Sequence, residues 1–232
     1  KKLNRTEAGE VIYENGLPTF DDKVSVLGNG NYDFTLGFRN AFSYKNLSMS
    51  VLVDMKFGAD VYSMSKMQSH VNGTSKETLE GREGWYASEQ ARLSANVDAK
   101  DWTPTGGYVG KGVKAVTDAD GNVSYVPNDV YVDPAKYWQA LQNSSPEPFI
   151  CDNSFVKLRE VSLSYSCPKK WFVHTPIESV TLSAYGRNLL LIYSKVDNID
   201  PESSYNNGNG QGFEYGSLPS RRTFGFGINV KF

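Results

Sequence analysis

The chain has 232 residues, the length of one domain of ordinary size, and its 24 basic against 26 acidic side chains give a formal net charge of −2, which excludes a dedicated nucleic-acid binder. Hydrophobic residues make up 39% and aromatics 13%, with 21 glycines and 10 prolines, the balance of a β-rich chain with large polar loops. No run approaches the roughly 20 apolar residues of a membrane-spanning helix, and no basic, then apolar, leader opens the chain. A membrane β-barrel stays open, because its alternating strands need an apolar residue only at every second position.

The first periodic segment is Phe34–Tyr44, where Phe34, Leu36, Phe38, Phe42 and Tyr44 alternate with Thr35, Gly37, Arg39, Ala41 and Ser43. After Lys45 and Asn46, Leu47, Met49, Val51, Val53, Met55 and Phe57 alternate with Ser48, Ser50, Leu52, Asp54 and Lys56. A period of two makes each a strand with one apolar face, and the short link makes them a hairpin. Asn40 is the one polar member of the apolar set.

A long insertion follows. Its stretch 75–93 reads as a helix with Ser75 as cap, and 133–141 as a second, short helix with an Asp-Pro start. Between them, 113–116 and 123–126 flank Asp120-Gly121, a signal for a hairpin with a type I′ turn. The insertion is therefore expected to be a small ordered subdomain.

Three more strands are expected: Phe155–Ser166, 178–190, and a terminal one in which Phe224, Phe226, Ile228, Val230 and Phe232 alternate with Thr223, Gly225, Gly227, Asn229 and Lys231. Cys151 and Cys167 lie at the ends of the first of these. An extended span of roughly 16 residues at about 3.3 Å each separates their sulfurs far beyond disulfide reach.

The second face decides the class. A soluble sandwich shows solvent a Lys- and Glu-rich face. Here that face is small and polar, with isolated Arg39, Asp54 and Lys56, as in the lumen of a wide barrel whose outside meets lipid. Connections alternate short and long, as in outer-membrane barrels, whose periplasmic turns are short and outer loops long. The resulting division is: 1–33 an extracellular segment leading into the barrel, 34–62 a barrel hairpin, 63–153 the long extracellular loop, 154–190 two strands with a periplasmic turn at 167–177, 191–220 an extracellular loop, and 221–232 the terminal strand.

No catalytic constellation emerges. Asp118, Asp120, Gly121 and Asn122 resemble the start of a calcium loop, but the closing Glu is missing and a plain turn is the better reading. His70 and His174 stand 104 positions apart without zinc-protease spacing and read as loop or turn residues. Gly28–Gly30 and 208–212 lack the Lys-Ser/Thr of phosphate loops, and 206–212 reads as a loop. No cofactor and no metal site are expected. Aromatics concentrate in the insertion: Trp85, Trp102, Tyr108, Tyr125, Tyr131, Tyr137 and Trp138. Most would form its core, with Trp102 and Tyr108 weak candidates for substrate contact. Tyr44, Tyr165, Trp171 and Phe172 suit a periplasmic aromatic girdle.

Several ordered blocks carry a resemblance. Leu27-Gly28-Asn29-Gly30 before Asp33-Phe34, the Tyr44-Lys45-Asn46 turn, Phe57-Gly58-Ala59-Asp60-Val61-Tyr62, the 154–161 block with Leu163-Ser164-Tyr165 and Pro168, Gly186-Arg187-Asn188-Leu189-Leu190 with Asp200-Pro201-Glu202, and Pro219-Ser220-Arg221-Arg222-Thr223-Phe224 resemble the C-terminal third of SusC/RagA-like TonB-dependent outer-membrane transporters of Bacteroidetes. Tyr32 stands where that family often has Pro, and the loop from about 63 to 149 does not match. The resemblance implies an all-β fold, the C-terminal antiparallel strands of a transmembrane barrel of about 22 strands. It implies a non-enzymatic, energised importer of bulky nutrients, oligosaccharides or peptides, in a Gram-negative outer membrane. The implied partners are a SusD-like lid lipoprotein, the remaining barrel and plug, the TonB complex and outer-membrane lipid. Phe232 looks like a barrel-insertion signal. Five strands with two open edges cannot close a pore, so the chain is expected to be a portion of a larger barrel or one chain of a split one. A passive porin or adhesin keeps the wall without energy coupling; a soluble β-sandwich carbohydrate-binding module would need a second sheet over the Phe-rich face.

Overall fold

The computed structural model describes residues 1–203, 208 and 210–232. In chain order the strands are β1 (Ile12–Glu14), β2 (Leu17–Pro18), β3 (Phe34–Tyr44), β4 (Leu47–Phe57), β5 (Asp60–Ser63), β6 (Val113–Thr117), β7 (Val123–Pro127), β8 (Ile150–Asp152), β9 (Phe155–Ser166), β10 (Ser179–Ser194), β11 (Phe213–Glu214) and β12 (Thr223–Lys231). The helices are α1 (Met64–Val71), α2 (Arg82–Ser94) and α3 (Pro134–Ser144). The chain forms two units, Lys1–Leu27 with Tyr62–Ile150 and Gly28–Val61 with Cys151–Phe232.

The second unit is a five-stranded antiparallel sheet in the order β12-β10-β9-β4-β3. Register aligns the alternation of every strand with its neighbours. One row runs Phe42, Met49, Leu163, Ala184, Phe226, and the next runs Tyr44, Leu47, Tyr165, Leu182, Ile228. On the opposite face Ser43, Ser48, Ser164, Ser183 and Gly227 form a row of small groups. A one-residue slip anywhere would exchange the faces, so the pattern itself enforces the register. The apolar row is uncovered among the described residues: Phe42 is 55% exposed and Phe226 87%. β3 and β12 are the two edges of the sheet.

The alternation is not uniform along β9. Leu52 faces Glu160 while Val53 faces Leu158, which leaves Arg159 in a bulge. On the other side Glu160 pairs Arg187 and Leu158 pairs Leu190, so β10 also carries an irregularity, at Asn188, whose φ is 52°. The bulge switches which parity faces the polar side: Lys157 and Arg159 before it, Glu160, Ser162 and Ser164 after it. The sequence pattern over 155–166 does not show this switch. It also stops the next strand at 190, whereas β10 continues to Ser194 through a second register shift between Leu191 and Tyr193. Cys151 and Cys167 form no disulfide.

In the first unit β1 pairs with β2 and, in parallel, with β6, which pairs with β7. The core gathers Tyr13, Met67, Tyr108, Tyr137, Trp138, Leu141 and Phe149, with Leu3, Val11, Leu17 and Phe20 packed against it. α3 starts as its sequence indicates, with the Asp133 carboxylate accepting the Ala135 N–H at 2.9 Å. Three expectations are corrected. Ser75 caps no helix: a 3₁₀ turn at Lys76–Leu79 ends before Gly81, which adopts φ 81°, and α2 begins at Arg82. A Cβ at Gly81 would lie 2.5 Å from the Tyr108 backbone nitrogen, so a left-handed, side-chain-free residue interrupts the 75–93 stretch. His70 is not in a loop; it lies in α1, a helix that the sequence pattern does not mark, whose N-cap Ser63 accepts the Lys66 N–H at 3.0 Å. The hairpin turn is not type I′, which needs positive φ at both central residues; Gly121 has φ 86° and Asp120 is not positive. Instead the Asp118 carboxylate accepts the N–H groups of Asp120 and Asn122.

Phe226 and Ser183 lie on neighbouring strands and opposite faces, and they separate the consequences of the two. Phe226→Arg on the apolar face is expected to cost about 2–4 kcal/mol of barrel stability, while Ser183→Asn on the small, polar face leaves it near the unmodified value. Urea titration of the assembled barrel in lipid vesicles checks both.

Candidate functional site

The polar face of the five-stranded sheet divides into layers. Serines occupy one end. Above them Glu160 accepts from Arg187 Nε at 2.8 Å and faces Arg39 at 3.8 Å. Beyond the bulge lies a denser cluster. Lys157 Nζ donates to Glu202 Oε2 at 2.6 Å, Ser220 Oγ at 2.7 Å and Asp200 Oδ1 at 3.3 Å. Arg159 donates to both Glu202 oxygens at 2.6 and 2.8 Å, to Asp54 Oδ2 at 2.5 Å and to Asn188 Oδ1 at 2.8 Å. Asp200 also accepts the Ser220 N–H at 2.8 Å and its hydroxyl.

This cluster pins the connection between β10 and β12 to the wall. The Lys157 side chain is only 4% exposed, and the three oxygens around its nitrogen satisfy its buried donors. Burial pushes the Asp200 and Glu202 carboxyls up, but hydrogen bonds outweigh it. Asp200 is held below the ordinary range by Ser220 and two backbone N–H groups, and Glu202 by Arg159 and Lys157.

Beside the cluster opens a cleft of about 400 Å³ lined by Tyr32, Lys56, Asn153, Glu202, Gln211 and Gly212, among others. Asn153 donates to the Tyr32 hydroxyl and to the Pro201 carbonyl, both at 2.8 Å. Burial, then the charges of Glu202 and Asp54, push the Tyr32 phenol up to about 12. The Lys56 ammonium lies over the Tyr32 ring at 5.4 Å and the Phe155 ring at 5.8 Å.

Of the residues singled out in the sequence, Tyr108 is 8% exposed, with its ring 4.4 Å from Tyr137 and 6.0 Å from Trp138. Trp102 is half-buried and donates from Nε1 to Ser88 Oγ at 3.1 Å. Phe232 is exposed. Tyr44 is exposed at the end of β3, and Trp171 is exposed in the 3₁₀ turn Lys169–Trp171 between β9 and β10. The expected loop at 206–212 falls partly outside the described residues. The ionic cluster is not legible in the sequence pattern. Its one signal is a match of spacings: Lys157 and Arg159 two apart on a strand, Asp200 and Glu202 two apart beyond it.

No protein-family model matches the chain. Among curated proteins, TonB-dependent receptor P3 of Formosa agariphila is 27% identical over 222 residues, covering 93% of this chain and 18% of its own length. TonB-dependent receptor P26 of the same organism is 29% identical over 222 residues, covering 94% of this chain and 18% of its own. The chain thus spans less than a fifth of the length of these relatives. Among solved structures, the RagAB peptide importer in its closed-closed state matches 99% of this chain and 20% of its own, with a TM-score of 0.56 and 16% identity. A second structure, of the RagAB peptide transporter, matches 97% and 20%, with a TM-score of 0.54 and 18% identity.

The folded values of Asp200 and Glu202 lie below unfolded values of roughly 3.9 and 4.3, so their stabilisation is present in full above that range and lost as pH falls through the folded values. Limited proteolysis should find residues 195–203 protected at neutral pH and cut progressively faster as pH drops below about 4. Glu202→Gln, which leaves Lys157 only Asp200 and Arg159 only Asp54 as carboxylate partners, should weaken the docked connection by about 1.5–3 kcal/mol and expose it to protease already at neutral pH.

The chain is therefore similar over nearly its whole length to two TonB-dependent receptors of Formosa agariphila, and its largely β fold is shared with part of the RagAB structures.

Proposed function

We propose that the chain forms wall and extracellular loops of an outer-membrane importer of bulky nutrients, energised through TonB. The observation that carries this reading is the five-stranded sheet with one continuous apolar face and one small, polar face. Such a sheet suits lipid outside and water inside, and the relatives are named as TonB-dependent receptors and as a peptide importer. The edges at β3 and β12 would pair with further strands, because unpaired backbone groups in hydrocarbon cost several kcal/mol each. The remaining barrel, a plug and a TonB-contacting segment would come from sequence beyond this chain, whose matches cover a fifth or less of each relative.

In this reading the first unit and the β10–β12 connection face the outside, 45–46 and 167–177 are periplasmic turns, and Phe232 takes part in barrel insertion. A SusD-like surface lipoprotein acts as lid over the loops. The substrate is an oligosaccharide or a peptide. Trp102, which is half-buried, is the proposed substrate contact, whereas the ring of Tyr108 is taken up by the core. A soluble carbohydrate-binding sandwich is disfavoured, because no second sheet covers the Phe-rich face among the described residues.

Fractionation of cells that express the parent protein should place it in the outer membrane together with a surface lipoprotein. Uptake by that strain should stop when the TonB complex is deleted. Uptake that persists without TonB would replace the importer by a passive porin.

A further inference from the structure

The first unit holds a second cleft, of about 530 Å³, bounded by the C-terminal end of α1, the outer face of α2 and the start of α3. Arg82, Trp85, Tyr86 and Glu89 project into it from α2 at helical spacing, and Pro134 and Trp138 close it from α3. Its centre of charge is Arg82. The guanidinium is held by neutral oxygens alone: Nε donates to the Thr78 carbonyl at 2.6 Å, and Nη2 to the Gly73 carbonyl at 2.5 Å and the Thr78 hydroxyl at 2.6 Å. Thr78 is 1% exposed, so this anchor is rigid. Gly73 has φ 68°, and a Cβ there would lie 2.7 Å from Nη2; the close approach depends on glycine.

The anchoring leaves Nη1 without a partner and the charge without a carboxylate among the described residues. Both acids that line the cleft are committed elsewhere. Glu89 takes three hydrogen bonds from Arg92, and Asp133 caps α3. A second donor belongs to a residue that lines the same cleft: Trp138 is 8% exposed, and its indole N–H is buried with no acceptor. A fixed guanidinium with a spare N–H, a spare indole donor and the rings of Trp85 and Tyr86 alongside is matched by a planar anion on an apolar-faced body.

We propose that this cleft is a binding subsite for a carboxylate group on the transported molecule, with Arg82 as its counter-charge and Trp85 and Tyr86 as the wall beside it. The assignment rests on the importer reading for the origin of the ligand. A uronic acid and a peptide C-terminus both present this chemistry. Removing the guanidinium should lower affinity about tenfold or more, the effect of a lost charge-assisted hydrogen bond.

The test uses the full-length parent transporter in detergent and calorimetric titration with four probes: trigalacturonate and its methyl ester, and glycyl-glycyl-phenylalanine and its C-terminal amide. At least one free acid should bind, its uncharged counterpart about tenfold or more weaker, and Arg82→Gln should abolish that difference. Trp138→Phe, which keeps the packing and removes the N–H, should weaken the same acid several-fold and covers the case in which Arg82→Gln misfolds. Which acid binds identifies the source. Equal binding of acid and neutral probe, binding unaltered in both variants, or no binding of either acid overturns the proposal. TonB-dependent uptake is scored separately, so uptake that survives alongside a failed titration removes the subsite and leaves the importer standing.

Discussion

In hydrocarbon there is no water to satisfy a backbone amide or to solvate a charge, and in the proposed importer reading the second unit is organised by that constraint. Every backbone group must pair with a neighbouring strand, and every charge must stand on the other face. The three inner strands β4, β9 and β10 pair on both sides, and all five align their apolar rows, such as Phe42-Met49-Leu163-Ala184-Phe226. Glycines 225 and 227 on the polar side leave room there: a Cβ at Gly227 would lie 2.7 Å from Ser183 Oγ.

The bulge at Arg159 is where this constraint and the rim chemistry meet. Strict alternation would have sent either the Lys157–Arg159 pair or the Glu160-Ser162-Ser164 series into the apolar face. One inserted residue lets both sets face inward, at the expense of a regular ladder. The same device brings two basic groups under the incoming connection, where Asp200 and Glu202 meet them. Wall geometry and loop placement thus follow from a single irregularity. The first unit is built by other means: aromatic rings from Tyr13, Tyr108, Tyr137 and Trp138 supply the core that its short elements could not provide by themselves.

How much of this could be read from sequence follows from the range of each interaction. The strands β3, β4 and β12 were legible because a period of two is a local signal repeated over nine to eleven residues. α3 was legible because Asp133-Pro134 marks its start. α1 escaped because its eight residues directly follow a strand, and α2 was started too early because Gly81 looks in sequence like a tolerated interruption. The bulge was invisible for a different reason. Its only local trace is the change from odd to even polar positions between Arg159 and Glu160, both of which are charged. The ionic cluster and the Arg82 cleft join residues that are far apart in the chain or on helices whose limits the pattern misplaces, so no spacing rule reached them.

In the importer reading one face of the sheet meets lipid and the other water. Single cysteines placed at Phe226 and at its strand neighbour Gly227, in a background without Cys151 and Cys167, test it in intact outer membranes. A water-soluble, membrane-impermeant thiol reagent admitted to both sides should label position 227 and spare position 226, while a lipid-phase quencher should reach a fluorophore at 226 alone. Rapid aqueous labelling at 226 with protection at 227 would contradict the account.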